Sequence, residues 1–495
     1  MRAEYAGYAY LASLNTIKSL ELDITCQVVS VQRKEVIDKV IAIPAGLKPA
    51  ERVLSHILFA LKHEGVNMQI LAQALPLVEE LDLRKEFDSS PTGKYIRSAC
   101  FLWEHFTGQT VKRTQPLTQG NYIPLFDPGR YITTQGYKDK RWRIIFNGLG
   151  SLDYCITVRR TERLEQALSR DVLQKVRAFT DSLDSNLLNR ALSWIYLSET
   201  RDSFAIENEV PDSSKMNRFI NLLRRAHETR IIDEGYLVYL QNETINNQFD
   251  SAASFRTEQN YLSNGMGAIG VTYVPPEPDL CRKLMKEWLA LVNDMPSDVN
   301  PLVLGAILSF GFVFIHPFMD GNGRLSRFMF HHVLCQQGRL SNGLILPVSA
   351  VLHDKERDYL DALSTYSAKT RMFWDVTYID IDNITLSFQG HDAIYRFWDG
   401  TLCAELMAEA SEEAMEQYIK REVAHLSRYD ALKRRIDRAF DVSDSTLSKL
   451  VLFCLEQNGR ISNKRRDQYR YSVPKDIFDA LEEAYSELFD ESKAD

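Results

Sequence analysis

A chain of 495 residues has room for two to four packed units at the usual size of about 150 residues each. With 45% hydrophobic and 25% charged residues, its composition is that of a globular protein and excludes a disordered chain, a collagen or a disulfide scaffold. Lys+Arg of 59 against Asp+Glu of 67, a net charge of −8, supplies no global field toward nucleic acid or an anionic membrane, so neither is expected as a partner.

The seven cysteines, Cys26, Cys100, Cys155, Cys281, Cys335, Cys403 and Cys454, are scattered and include no C-x-x-C pair, so they read as buried thiols of a reducing compartment. Met1-Arg2-Ala3-Glu4 lacks the charged-then-apolar order of a secretory signal, and a cytoplasmic location is the expectation.

In chain order, Val53, Leu54, Ile57, Leu58 and Leu61 have helical spacing, and Ile70 to Leu83 continues in that style after Gly65. The first hundred residues are therefore expected to be mostly helical, with residues 1–107 as an N-terminal helical domain. His63 and Glu64 read as packing and surface residues. A mixed connecting region follows at 108–160, with turn signals at Gly120-Asn121 and Asp127-Pro128-Gly129 and short β-prone runs at Ile144 to Phe146 and Cys155 to Val158.

Helical patterning resumes from about Leu164 to Ile206, breaks around Pro211, and runs on to about Asn242. Gly265 to Pro278 changes character: β-prone pieces around glycines, ended by Pro275-Pro276, predict a hairpin rather than a helix. Helices are expected at 279–293, 301–314 and 324–337. The most apolar run, Pro301 to Ile315, is 15 residues long, short of the ~18 of a membrane span, and reads as a buried core helix. Beyond 384 a C-terminal helical domain runs to 495. Its basic segment Asn463-Lys464-Arg465-Arg466 reads either as a solvated turn or as the wing of a winged-helix module. No internal repeat is present, and the fold class is mainly α with one β-hairpin and minor strands.

Between two of these apolar helices lies His316-Pro317-Phe318-Met319-Asp320-Gly321-Asn322-Gly323-Arg324-Leu325-Ser326-Arg327. Gly321-Asn322-Gly323 puts free backbone N–H groups and a helix dipole's positive end where a phosphate can be cradled. Arg324 and Arg327, three apart on one helix face, add two guanidinium groups for phosphate oxygens. Asp320 offers a hard oxygen to Mg²⁺, and His316 titrates near neutral pH and can accept a proton.

This stretch resembles the Fic family pattern H-P-F-x-[D/E]-G-N-G-R-x-x-R at every specified position. The resemblance implies a helical catalytic core, placed here at 161–383, and transfer of AMP from Mg²⁺-bound ATP to a Ser, Thr or Tyr hydroxyl of a target protein, with the chain itself as one possible target. It implies His316 as general base, Asp320 as the Mg²⁺ ligand, Gly321, Asn322 and Gly323 as the anion hole, Arg324 as a phosphate ligand and Arg327 on the γ-phosphate. Gly265 to Pro276, led in by Phe255 to Asn260, resembles the family's flap, with Gly270, Val271, Thr272 and Tyr273 as target-docking residues.

Ser203-Phe204-Ala205-Ile206-Glu207-Asn208 is similar to the family's inhibitory pattern [S/T]-x-x-x-E-[G/N]. That implies Ser203, Glu207 and Asn208 as a built-in brake, with Glu207 paired to Arg327. Glu209, directly after it, adds a second carboxylate that could take over the pairing. Tyr359 and Leu363 are candidates to line the adenine pocket.

Other motifs fail on context. Gly265-x-Gly267-x-x-Gly270 lacks the helix start of a dinucleotide fingerprint, and Thr92-Gly93-Lys94-Tyr95 lacks the first glycine and the hydroxyl of a P-loop. His331, His332 and His353 have no third ligand at metal spacing, so no structural zinc is expected. The motif does not choose between AMP transfer, use of another nucleotide or removal of AMP by water. A regulatory protein that only senses ATP is the reading outside enzymes, although binding alone needs no His316. Homo-oligomers are compatible with all of these.

Overall fold

The computed structural model describes residues 4–114, 120–245, 251–264, 267–337, 340, 343–379 and 384–489. Its N-terminal unit adds a small sheet to the expected helices. Glu4–Ala6, Thr25–Val28 and Glu35–Ile37 join Val40–Ile43 in a four-stranded sheet, with Thr25–Val28 central and parallel to Val40–Ile43. Ala6, Cys26, Ile41 and Ile43 close its inner face against Phe59. The strands are three or four residues long and pair across the sequence, Glu4 opposite Val28, so local periodicity carries almost no sign of them.

The helices that do follow the sequence pattern run from Val53–His63 to Lys94–Thr107. The last ends where Gly108, at φ 66°, turns left-handed and returns its N–H to Glu104. Glu64 is half-buried: its carboxylate accepts the Tyr8 N–H at 3.0 Å, and burial first of all pushes its pKa up to about 7.

The connecting region contains the expected short strands, Ile144–Phe146 and Cys155–Thr157. Cys155–Thr157 pairs in parallel with Phe397–Asp399, some 240 residues later. Alternate residues of this pair face opposite ways, as a pleated ribbon requires. Cys155 and Phe397 enter the N-terminal core with Trp103 and Trp142, while Ile156 and Trp398 enter the large helical core. The sheet is a wall shared by two cores.

The same pairing corrects the boundary at 384. Ala393 to Val423, including the helix Thr401–Glu413, packs within the two larger cores, and the separate C-terminal core begins at Leu432 and extends to Ala484. Helical spacing looks alike on both sides of 384 and cannot say which core a helix joins. In the C-terminal unit Asn463–Tyr469 is a helix, neither wing nor turn, with Arg466 paired to Asp479 and Glu482 and Arg465 over the Phe453 ring.

At the centre lies the core helix Pro301–Ile315, capped by the Asn300 carboxamide on Leu302 N–H and started by Pro301. It packs against the motif helix Asn322–Gln336. Gly305 allows their close approach, since a Cβ there would lie 2.8 Å from the Phe330 ring. The long helix Ser185–Ile206 and the helix Glu234–Thr244 lie against the motif helix from other sides. Among the described residues no helix is long and apolar enough to cross a membrane.

The hairpin is present, but as Leu262–Ser263 antiparallel to Val271–Tyr273, with a single helical turn at Gly267–Gly270 between them. Gly270 therefore closes that turn rather than lying in a strand. Gly265 and Met266 fall outside the described residues.

Candidate active site

His316 ends the core helix in a left-handed conformation, φ 54° and ψ 61°, which breaks the helix and throws the chain across its end. The ring is buried, and Nδ1 lies 3.2 Å from the Val313 carbonyl. A carbonyl only accepts, so Nδ1 carries the proton and Nε2 keeps its lone pair. Burial is the main cause that holds the imidazole down at about 4, with the Arg256 guanidinium adding to it; the Val313 bond, Glu207 and Asp320 act in the opposite direction. The ring is neutral at physiological pH.

The loop after His316 is braced from within. Asn322 accepts the Phe318 N–H at 3.1 Å and donates to the Phe318 carbonyl at 2.8 Å, which uses its side chain and leaves only its backbone for an anion. Gly321, at φ 85°, supplies the left-handed step into the motif helix, with Thr244 Oγ1 3.2 Å from where a Cβ would be. Gln241 holds the Asp320 carbonyl.

Both motif arginines are almost fully buried and reach back to the end of the long helix. Arg327 donates from Nε to Ser203 Oγ at 2.8 Å, and from Nη2 to the Ser203 carbonyl at 2.7 Å and to Glu207 Oε1 at 2.8 Å. Burial works against the Arg327 charge, and Glu207, Tyr359 and Glu199 together more than offset it, raising the guanidinium above its ordinary value. Arg324 donates from Nη1 to Glu209 Oε2 at 3.0 Å and to the Thr244 carbonyl, lies over the Phe204 ring and contacts Asp320 at 3.3 Å. Arg324 Nε and Arg327 Nη1 are buried without a hydrogen-bond partner.

The sequence left open whether Glu207 or Glu209 makes the pairing. Each takes one arginine. The cap that presents them explains Asn208: at φ 57° it is the left-handed residue ending the long helix, with Asn208 N–H on the Ala205 carbonyl and Glu209 N–H on the Phe204 carbonyl. That paired turn-back favours Gly or Asn at this position. Glu207 Oε1 lies against the N-terminus of the motif helix, 2.1 Å from where a Cβ on Gly323 would stand. A carboxylate thus occupies the space beside the glycine at the start of the motif helix.

Asp320 leaves 42% of its side chain exposed beside this loop, and its Oδ1 accepts the Gly321 N–H at 2.6 Å. Among the described residues no three His, Cys, Asp or Glu side chains gather as a metal site. One open carboxylate suits Mg²⁺ that is carried mostly by phosphate oxygens and water, and it suits no protein-caged metal.

In the hairpin, Val271 and Tyr273 face inward and Thr272 outward. Tyr273 Oη donates to the Phe314 carbonyl, two residues before His316, and Val271 packs with Val274 and Trp374. Tyr359 lies beside Arg327; burial raises its phenol pKa, and the guanidinium partly offsets this. His331 and His332 are buried, His331 on Glu199 at 2.8 Å.

Sequence reasoning missed Arg256. It is buried and donates from Nε to the His316 carbonyl at 2.8 Å and from Nη2 to the Pro276 carbonyl, so one side chain ties the catalytic loop to the base of the hairpin. No spacing rule announces an arginine that serves remote carbonyls.

Residues 231–334 match the Fic/DOC family. The chain is 28% identical over 145 residues to protein adenylyltransferase fic-1 of Caenorhabditis elegans, covering 28% of this chain and 26% of that protein. It is 25% identical over 156 residues to protein adenylyltransferase Fic of Nematostella vectensis, covering 30% and 34%. A probable protein adenylyltransferase of Aquifex aeolicus is 26% identical over 124 residues, 24% of this chain and 36% of that one. The chain thus spans about a quarter to a third of the length of these curated relatives. Among solved structures, a Fic family protein from Desulfovibrio desulfuricans is 19% identical with a TM-score of 0.39, covering 64% of this chain and 88% of that one.

Proposed function

Taking residues 231–334 as a Fic/DOC-type domain, we propose that the chain transfers AMP from ATP to a hydroxyl of a protein and is held back by its own Glu207 and Glu209. The observation that carries this reading is the pairing of a neutral His316, its Nε2 lone pair free to accept a proton, with two buried arginines at the N-terminus of one helix. A nucleotide sensor needs the arginines and glycines. It does not need the base.

In this reading the target hydroxyl attacks the α-phosphorus while its proton passes to His316 Nε2, and the bond to pyrophosphate breaks. Arg324 and Arg327 neutralise the polyphosphate, and the N–H groups at the start of the motif helix receive its oxygens, a contribution of positioning and charge. Asp320 would hold Mg²⁺, which supplies further charge neutralisation when bound. Arg256 fixes the backbone of His316. The Val271–Tyr273 strand offers an edge for an extended target segment, with Thr272 outward.

Glu207 and Glu209 support the braked form: each engages an arginine that the polyphosphate needs, and Glu207 lies in its place at the helix start. The chain would act in the cytoplasm, as its cysteine usage suggests. Incubation with ATP labelled on the α- or the γ-phosphate, and with a lysate as target source, tests the reading. Protein-bound label from the α position alone, much stronger in Glu207→Gly than in wild type, is expected; label from the γ position, or none in Glu207→Gly, refutes AMP transfer.

A further inference from the structure

Behind the arginines, a second polar cluster links the same two helices. Glu199, on the long helix, is wholly buried and accepts three hydrogen bonds: His331 Nε2 at 2.8 Å, Ser349 Oγ at 2.5 Å and Ser349 N–H at 2.8 Å. His331 and Ser349 are wholly buried too, and His331 Nδ1 has no partner. None of the three is among the residues to which the nucleotide reading gives a role.

The spacing gives the cluster its meaning. Glu199, Ser203 and Glu207 recur every four residues along one face of the long helix, and Arg327 and His331 do so along the facing motif helix. The rungs run in order and antiparallel: Glu199 on His331, Ser203 on Arg327, Glu207 on Arg327. Apolar packing between two helices tolerates a slip along the axis, whereas a buried carboxylate holding three donors does not. A slip of one turn, about 5.4 Å, would strand Glu199 without donors in the core. Buried polar pairs are best attested in this role of fixing register. The Glu199 carboxylate also adds to the charge that supports Arg327.

We propose that Glu199, His331 and Ser349 form a register lock: positioning residues that set the long helix against the motif helix so that Glu207 meets Arg327. The inference rests on the braked AMP-transfer reading, and it makes the strength of the brake depend on a carboxylate two helical turns before Glu207.

Glu199→Gln keeps the shape and removes the charge and one acceptor. In the otherwise wild-type chain it is expected to raise AMP transfer about tenfold, the loss of one buried charge-assisted hydrogen bond. In the Glu207→Gly background the same substitution should change kcat and the KM for ATP by less than about twofold, since the carboxylate that the lock positions on Arg327 is gone. Ser349→Ala, a milder cut, should raise transfer by about threefold, and Ser349→Thr, which keeps the donor, should behave as wild type. A uniform fall in both backgrounds, or an unchanged basal rate, would overturn the lock in favour of a plain core contact.

Hydrogen exchange at the cap amides of Asn208 and Glu209 reads the lock without turnover. Exchange about tenfold faster in Glu199→Gln is expected, and unchanged exchange overturns the lock. If Glu207→Gly is inactive while exchange quickens, the AMP-transfer reading fails and the lock stands.

Discussion

Removing the Glu209 charge tests whether both motif arginines are occupied. Glu209 Oε2 lies 3.0 Å from Arg324 Nη1, and its side chain is 27% exposed. A hydrogen bond between charged groups contributes about 1.5 to 3 kcal/mol when well buried. The exposed side of Glu209 is screened by water, which brings the figure toward about 1 kcal/mol. Arg324 keeps the Thr244 carbonyl at 2.9 Å and Asp320 at 3.3 Å in Glu209→Gln, so the guanidinium stays in place while one competitor for phosphate is lost. In the Glu207→Gly background, where Arg327 is already released from its carboxylate, Glu209→Gln should lower the Kd for ATP about fivefold. Titration of the two variants with ATP, read by tryptophan fluorescence or calorimetry, measures it. Equal or weaker binding in the double variant would refute the idea that Glu209 competes with phosphate and would make it a support for Arg324.

Other consequences follow from single observations. Because burial holds His316 at about 4, and Glu207 only raises it, transfer by Glu207→Gly should rise with pH through a midpoint no higher than about 4 and stay level above about 5.5; an inflection near the ordinary 6.5 in a pH profile would contradict a buried neutral base. The buried His332 is likewise pushed down to about 4, so between pH 6.5 and 4 the unfolded chain binds more protons than the folded one at both histidines. Stability should fall as pH drops through that window, by roughly 3 kcal/mol per histidine at its lower end, visible as a falling Tm. Asn208→Val puts a β-branched residue at φ 57° and should loosen the cap by about 1 to 2 kcal/mol, raising basal transfer, whereas Asn208→Gly should leave it near wild type. Arg256→Ala frees the His316 carbonyl and the hairpin base together and should lower kcat at least about tenfold with ATP affinity unchanged in a binding titration.

The placement of the candidate site residues was largely legible because they are local in sequence. His316 to Arg327 lies on one helix end, one loop and one helix start, so spacing alone puts the base, the glycines and both arginines together. Glu207 and Asn208 stood out through the resemblance of Ser203 to Asn208 to the inhibitory pattern, and the left-handed Asn208 that ends the helix gives that short pattern a local physical reason. What stayed hidden depends on contacts between distant segments. Arg256 acts on two backbone carbonyls, Glu199 finds its donors 132 and 150 residues away, and Phe397–Asp399 pairs with Cys155–Thr157. The N-terminal sheet escaped because each strand is too short to show a period of two, and because its parallel pair joins segments with another strand between them. The helical turn inside the hairpin lies among glycines whose freedom carries no preference for either form.

The central claim, that His316 acts as the base for AMP transfer and not as a nucleotide ligand, is tested most directly by adding His316→Ala to Glu207→Gly. The double variant is expected to bind ATP as tightly as Glu207→Gly but to transfer no α-phosphate label to protein. Label transfer at an undiminished rate in the double variant would contradict it.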